Sequence, residues 1–185
     1  MALRLDGDGS VRQHALELAE RLRDATSLNE IAQAAVDYTN EVFDVDFTSV
    51  YLWDPPAGVL RLQSYRQQSH WAPQSVFMPG SGVFGTAFSS AKTVRVGDYS
   101  KFGAKTARAL RQGIVSGLAT PVLCGGEAIA VLGIGGRVRD RFSEEDERAI
   151  EAIAAQLAPR LAEALKSPSA WPAAAPAWRS MARDS

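Results

Sequence analysis

Three segments of the chain repeat their hydrophobic residues with the spacing of an α-helix. Between residues 11 and 25 the steps alternate between four and three, as in a heptad seam: Val11, Ala15, Leu18, Leu22 and Ala25. The second segment repeats Leu28, Ile31, Ala35, Tyr38 and Val42. The third repeats Ile150, Ile153, Leu157, Leu161 and Ala164. Each pattern predicts a helix with one apolar face.

Capping signals mark where two of these helices begin. Ser27 is followed three residues later by Glu30, and Ser143 by Asp146, which is the spacing of a capping box. Acids in the first helical turn are favoured by the helix dipole, and consecutive helical residues point about 100° apart. We therefore interpret the run FSEEDE as a helix start rather than as a metal site. Pro159 is expected to kink this helix.

Between the second and third helices the hydrophobic period changes to two, which predicts strands. FTSVYLWD and GVLRLQSY are joined by the turn sequence DPPAG, and SGLATPVLC and EAIAVLGIG by Gly125 and Gly126. Each pair predicts a β-hairpin, and TVRV predicts a short strand. GSGVFGTAFSSAK and AKTARALRQG predict helices, the second closed by Gly113.

Composition narrows the classes of function. Of 185 residues, 46% are hydrophobic, enough for one domain with a sizeable core. The 20 basic and 21 acidic residues leave a net charge of −1, which gives no general attraction to nucleic acid or to anionic membranes. The apolar runs are too short to span a bilayer and the N-terminus does not fit a signal peptide, so we expect a cytoplasmic protein.

Metal and redox chemistry have few candidate residues. The chain has one cysteine, Cys124, and two histidines, so a disulfide, zinc or iron–sulfur site lacks ligands. Cys124 is expected to be a small buried hydrophobe at a strand end, and His70 an exposed loop residue. No nucleophile, base and orienting acid stand at a recognisable spacing. The sequence therefore predicts no metal, no catalytic residue and no enzyme.

Three regions follow from these patterns. Residues 1–27 predict an N-terminal amphipathic helix that serves dimerisation, residues 28–165 a single domain, and residues 166–185 a disordered tail. The tail consists mainly of Pro, Ala and Ser with two isolated tryptophans, a composition that cannot bury a core. The predicted dimer interface consists of Val11, Ala15, Leu18, Leu22, Ile150, Ile153 and Leu157.

The order of elements and three sequence segments resemble the GAF domain family. The segments are PGSGVFGTAFSSAKTVRVGDY, SGLATPVLCGGEAIAVLGIGG and FSEEDERAIEAIAAQLA, within residues 28–165. The resemblance implies an α+β fold with a central antiparallel sheet, the terminal helices on one face, and a ligand cavity under short helices on the other. It also implies a sensory module that binds a small molecule and signals through a helical dimer interface.

Signatures of particular GAF relatives are present only in part. The cyclic-nucleotide-binding members carry an Asn-Lys pair followed by Phe, Asp and Glu; Phe142, Asp146 and Glu147 match, but Gly135 and Gly136 replace the pair. The cysteine–histidine pair of bilin-binding relatives is missing, and no haem signature occurs. Sulfoxide reductases of this family use several cysteines, whereas this chain has one, Cys124. The cofactor is therefore left unassigned.

Residues 80–85, GSGVFG, have the G-x-G-x-x-G spacing of dinucleotide-binding folds. That motif needs a strand directly before it, and here Pro79 precedes the glycines. We interpret these glycines as turn and close-packing positions.

The predicted cavity walls combine aromatic residues with a few polar groups, as suits a small ligand. They are Phe84, Phe88, Asp98, Tyr99, Phe102, Arg108, Ser116 and Thr120. The favoured hypothesis is a sensor for a small effector, with a second copy or a signalling protein as partner. A scaffold is the alternative, and large aromatics that fill the cavity would favour it. An enzyme such as a sulfoxide reductase is the third hypothesis.

Overall fold

The described part of the chain, residues 7–67 and 73–166 of a computed structural model, contains five α-helices and six β-strands. The helices are α1 (Gly7–Arg21), α2 (Leu28–Phe43), α3 (Gly82–Ser90), α4 (Ala107–Arg111) and α5 (Glu144–Leu165). The strands are β1 (Phe47–Asp54), β2 (Val59–Gln67), β3 (Val76–Phe77), β4 (Val94–Val96), β5 (Ser116–Cys124) and β6 (Glu127–Gly136). A 3₁₀ turn, Tyr99–Lys101, lies between β4 and α4.

Both predicted capping boxes are present. At α2 the Glu30 N–H donates to Ser27 Oγ at 3.2 Å, and the Ser27 N–H donates to the Glu30 carboxylate at 3.0 Å. At α5 the Asp146 N–H donates to Ser143 Oγ at 3.2 Å, and the return bond is 2.7 Å. These bonds satisfy N–H groups that lack a partner within the helix. The acidic run is thus a helix start, and α5 continues past Pro159.

The strands form one antiparallel sheet in the order β3-β2-β1-β6-β5-β4. The two long hairpins are neighbours because β1 pairs with β6. Gly125 and Gly126 join β5 to β6 with φ angles of 60° and 87°, which a tight hairpin turn requires and glycine adopts without strain. The α+β fold with a central antiparallel sheet is confirmed.

One extra residue in β2 reverses which of its residues face each side of the sheet. Val50 of β1 pairs with Ser64, whereas the next residue, Tyr51, pairs with Leu62, so Gln63 has no opposite residue. Such a bulge exchanges the faces presented by the residues on either side of it. Leu62 therefore packs with Tyr51 on one face of the sheet. Ser64 lies on the other face, where its hydroxyl donates to the side-chain oxygen of Gln33 in α2.

Helices α1, α2 and α5 cover one face of the sheet and share a core with it. This core contains five residues predicted for a dimer interface, each at most 1% exposed: Leu18, Leu22, Ile150, Ile153 and Leu157. The heptad-like seam therefore packs α1 onto the rest of the same chain, and these five side chains offer no surface to a second copy. Ala15 is partly buried, and the side chain of Val11 lies outside the described residues. Association of two copies stays a prediction.

The free thiol of Cys124 is exposed, so the expectation that it is buried is wrong. Cys124 is the last residue of β5, and its neighbour Leu123 is 40% exposed. The end of this hairpin thus extends beyond the packed layers, which sequence periodicity alone does not reveal. His70 and residues 167–185 lie outside the described ranges. Within those ranges, no helix is long and apolar enough to cross a bilayer.

Candidate functional site

A small cavity lies between the sheet and the segment that carries the 3₁₀ turn and α4. Its volume is about 60 Å³, and β1, β5, β6, α3 and α4 contribute to its walls. Ligand pockets usually measure about 300–1,000 Å³, whereas this space holds a few water molecules. Most of the room on this side of the sheet is occupied by aromatic rings of the chain itself.

Phe84 of α3 is at the centre of these rings. It stacks on Phe77 with a centroid distance of 5.3 Å and packs against Tyr51 at 4.7 Å. Phe47 meets it edge to face at 6.5 Å. Aromatic pairs of this kind stabilise by about 0.5–1.5 kcal/mol beyond their burial. A ligand that occupies the space of these rings must therefore displace Phe84 from a stable position.

The glycine-rich segment before and within α3 serves close packing. Gly82 has a φ of 64°, and a Cβ atom there would lie 2.8 Å from Cε1 of Phe77. A Cβ atom on Gly85 would overlap the carbonyl oxygen of Met78. The Gly80 N–H donates to the carbonyl of Gly85 at 2.8 Å, which closes the turn. These contacts account for the glycines without a bound dinucleotide.

Tyr51 and Arg108 bring polar groups to the cavity wall. The Tyr51 hydroxyl donates to the carbonyl of Gln74 at 2.7 Å. Burial raises the pKa of Tyr51 well above its usual value, although the positive charge of Arg108 acts in the opposite direction. One guanidinium nitrogen of Arg108 donates to the carbonyl of Pro73 at 3.3 Å. The phenol is thus a neutral donor, and the guanidinium supplies positive charge beside it.

Tyr99 and Thr106 add two hydroxyl groups where the 3₁₀ turn meets α4. The Thr106 N–H donates to the Tyr99 hydroxyl oxygen at 3.1 Å, and Thr106 Oγ1 accepts from the Ala109 N–H at 3.3 Å. Thr106 therefore caps α4, a five-residue helix without a buried residue. Both hydroxyl oxygens act as acceptors in these bonds, so each group keeps its own hydrogen for another partner.

Some predicted site residues line this cavity and others lie beside it. Three line it: Phe84, Tyr99 and Arg108. Phe88 stacks on Trp53 at 4.5 Å, and Phe102 packs against Tyr99 at 5.8 Å; both extend the same apolar layer. Asp98 does not line the cavity. Its carboxylate accepts a hydrogen bond from the Ser100 hydroxyl at 2.6 Å and pairs with Arg139 at 3.5 Å. The bonds from Ser100 are the main cause that lowers the pKa of Asp98.

Ser116 and Thr120 lie on the opposite face of the sheet from the cavity. Residues of β5 alternate between faces, and Leu118, which stands between these two, is buried in the helix-side core. Thr120 Oγ1 lies 2.9 Å from Thr93 Oγ1, away from the aromatic rings. Gly117 is the β5 residue at the cavity wall. The prediction chose the right strand and the wrong alternation.

Sequence reasoning missed the cavity residues on β1 and β3. Phe47 and Tyr51 line the cavity from β1, and Phe77 from β3. For the two β1 residues the signal is the alternation in FTSVYLWD, because residues 47 and 51 share a face of the strand that Val50 does not. Gln112 and Ile114, after α4, follow no recognisable period. Within the described ranges, no group of three or more His, Cys, Asp or Glu residues is placed to hold a metal ion.

Solved structures with the same fold include enzymes and regulatory domains. A free methionine-R-sulfoxide reductase from Neisseria meningitidis, in complex with its substrate, is 21% identical with a TM-score of 0.75, over 88% of this chain and 95% of that one. The GAF domain of a phosphoenolpyruvate-protein phosphotransferase from Acinetobacter is 19% identical with a TM-score of 0.74, over 84% and 95%. No match was found among curated protein sequences. At these identities the likeness shows the fold.

The expectation that the chain is not an enzyme is corrected by these neighbours. Reductases from Neisseria meningitidis, Staphylococcus aureus and Thermoplasma acidophilum share the fold with TM-scores of 0.75, 0.71 and 0.64. The lack of a recognisable catalytic spacing therefore does not decide the question, since the fold carries catalysis in those proteins. The described cavity wall itself contains no cysteine.

The helix order, the six-stranded sheet and the cavity under short helices agree with the family implied by the sequence motifs. The family model described as GAF domain matches residues 25–162, which is most of the chain. This match spans α2 to most of α5 and therefore includes the whole sheet. The chain belongs to the GAF domain family.

Proposed function

We propose that the chain is a regulatory module that binds a small molecule in the aromatic cavity. The observation that carries the proposal is the composition of the cavity wall, which places the charge of Arg108 and the hydroxyl of Tyr99 beside apolar rings. Apolar walls with a few polar groups are typical of ligand sites. The sulfoxide reductase from Neisseria meningitidis, which has this fold, was solved in complex with its substrate.

Ligand entry has a natural route through α4. This helix has no buried residue, and its contacts include the bond from the Thr106 N–H to Tyr99, a bond from Arg108 to Pro73, and the packing of the partly buried Ala109. Segments with few buried apolar contacts open at low free energy. We therefore propose that α4 opens to admit the ligand.

The proposed output passes from the cavity to α5 through β4. Phe84 lies on α3, and the chain continues from α3 directly into β4. The Arg95 side chain of β4 donates to Glu147 of α5 at 3.0 Å, and Thr93 donates to Glu151 at 2.6 Å. A ligand that moves Phe84 would shift these contacts, and so would bias the arrangement of α5.

A scaffold without a ligand is the second candidate function. The filling of the cavity by Phe77, Phe84 and Tyr51 favours it, because these rings already satisfy one another. In this case the domain would present its helices to a partner protein, and the cavity would serve stability alone.

Native mass spectrometry of the purified protein, together with a Phe84→Ala variant, tests the proposal. Removal of the ring enlarges the cavity, so a ligand-binding module should bind small molecules from a metabolite mixture, and a scaffold should stay bare in both forms. A bare wild type and a bare Phe84→Ala variant would overturn the proposal. The same spectra report the number of copies in the assembly and any change in mass of the bound molecule, which would reveal turnover.

A further inference from the structure

A buried hydroxyl group on the cavity side of the sheet has no partner. Ser49 of β1 is fully buried, and its hydroxyl has no hydrogen-bond partner among the described residues. Ser49 stands midway between Phe47 and Tyr51 along the strand, so it shares their face of the sheet. Burial is the main influence on the pKa of Tyr51, and Ser49 acts against it without meeting hydrogen-bond geometry. Because buried hydroxyl groups are nearly always hydrogen-bonded, this one points to a polar ligand atom.

Ser49 stands opposite the glycine that lies under the Phe84 ring. In the ladder between β1 and β6, Ser49 pairs with Gly133. A Cβ atom on Gly133 would overlap the ring of Phe84. Opposite residues of an antiparallel ladder have Cβ positions about 4.5–5.5 Å apart. The unpaired hydroxyl therefore lies beside the space that the Phe84 ring occupies.

The space of the Phe84 ring, here called the ring site, fits a flat aromatic group. Phe77 stacks on this ring with an interplanar angle of 29°, and Phe47 meets it edge to face at 87°. Gly133 contributes backbone alone to the floor of the ring site, because it has no side chain. Aromatic walls prefer stacked and T-shaped partners. The ring site therefore selects a planar ring over a puckered one.

Phe84 can leave the ring site more easily than its neighbours can leave theirs. Phe77 is 7% exposed and Tyr51 1% exposed, whereas Phe84 is only partly buried. A ligand ring in the same place would restore the contacts with Phe77 and Tyr51. A polar atom on that ring would also pair with the Ser49 hydroxyl, which the phenyl ring of Phe84 leaves without a partner. The exchange thus adds a hydrogen bond that the unliganded chain lacks.

We infer that the ligand is a planar aromatic molecule with a polar atom, which takes the ring site in place of Phe84 and forms a hydrogen bond with Ser49. This inference rests on the proposed function and names the class of molecule that the module binds. Phenol is a suitable probe, because it joins one flat ring to one hydroxyl. Toluene has the same shape without the hydroxyl, and cyclohexanol carries the hydroxyl on a puckered ring.

The test measures binding of these three compounds by calorimetry to the wild type, Phe84→Ala, Ser49→Ala and Ser116→Ala. Ser116 is the matched control, because its hydroxyl is also buried and without a partner among the described residues but lies on the opposite face of the sheet. We expect saturable binding of phenol, at least tenfold tighter in Phe84→Ala, where no ring has to be displaced.

The serine variants and the two analogues test the hydrogen bond and the flat ring separately. The affinity for phenol should fall at least fivefold in Ser49→Ala and less than twofold in Ser116→Ala. The affinity for toluene should change less than twofold in Ser49→Ala. Cyclohexanol should bind at least tenfold more weakly than phenol. Circular dichroism and urea unfolding confirm that each variant is folded.

Three results would overturn the inference. The first is an equal change of phenol affinity in both serine variants, because Ser49 would then not contact the ligand. The second is equal affinity for phenol and cyclohexanol, because the site would then not select a flat ring. The third is the absence of phenol binding in Phe84→Ala. The proposed function survives each of these results, and it falls only if the metabolite mixture also leaves the wild type and Phe84→Ala bare.

Discussion

The ring of Phe84 lies directly over Gly133, where a side chain on residue 133 would otherwise stand. A Cβ atom built on this glycine would be 2.5 Å from Cε1 and 2.6 Å from Cζ of the ring. The helix that covers the cavity and the central strand β6 therefore fit together only because one of them has no side chain at this point.

Gly133→Ala should destabilise the fold by about 1–3 kcal/mol, because the new methyl group displaces a ring that is packed on its other sides. Urea unfolding measures the loss. In the Phe84→Ala background the same substitution should cost less, with a coupling of at least about 0.5 kcal/mol between the two sites. Additive effects would show that the ring and the glycine are not in contact in solution.

Leu18→Ala should destabilise a single copy of the chain by about 2–5 kcal/mol, because Leu18 is fully buried in the helix-side core. Leu16, on the same helix and 64% exposed, is the matched control, and Leu16→Ala should change stability by less than about 0.5 kcal/mol. Urea midpoints at two protein concentrations check both values. A midpoint that rises with concentration, and a Leu18→Ala loss confined to the higher concentration, would instead indicate a seam between two copies.

The carboxylate of Glu30 should make stability depend on pH at the acid end. Hydrogen bonds from the backbone of Ser27 and Thr26 lower its pKa from 4.5 to about 2. Because the folded-state pKa is the lower one, the bonds stabilise the fold above pH 4.5, and this contribution is lost as the pH falls toward 2. The melting temperature of Glu30→Gln should therefore fall less between these pH values than that of the wild type. Glu127→Gln, at the exposed start of β6, is the control, and an unchanged slope in Glu30→Gln would contradict the cap.

Cys124 should react with a thiol reagent such as DTNB in the folded protein, because its side chain is exposed at the end of β5. Cys124→Ser should change the free energy of unfolding by less than about 0.5 kcal/mol. Reaction only after addition of urea would show that the thiol is covered in solution.

Much of the fold could be predicted because its signals are local. The capping boxes at Ser27 and Ser143 and the turn at Gly125 and Gly126 each depend on residues a few positions apart, and each is present. The surface against which the heptad-like seam packs could not be predicted in the same way. An apolar stripe such as the one at Leu18 shows that a helix face is covered, but the same spacing serves a partner chain or the chain's own core.

The cavity was predicted only in part for a related reason. Aromatic residues on α3 and after β4 could be assigned to it, and Phe84 and Tyr99 do line it. The face that a strand residue presents depends on which neighbours it pairs with, which is a property of the whole sheet. Ser116 and Thr120 were therefore predicted on the wrong face of the sheet. The apolar Leu118 between them, which shares their face and is buried in the helix-side core, was the residue that could have decided the face.

The unpaired Gln63 of β2 also affects how this chain is aligned with distant relatives. The alternation of residues between the two faces of β2 reverses at Gln63. An alignment that carries the strand through without a gap therefore assigns half of its positions to the wrong face of the sheet. At about 20% identity, a one-residue gap at Gln63 decides whether Leu62 is compared with cavity residues or with residues under the helices. Loss of this one residue in a relative would make its β2 present a single alternation along its whole length.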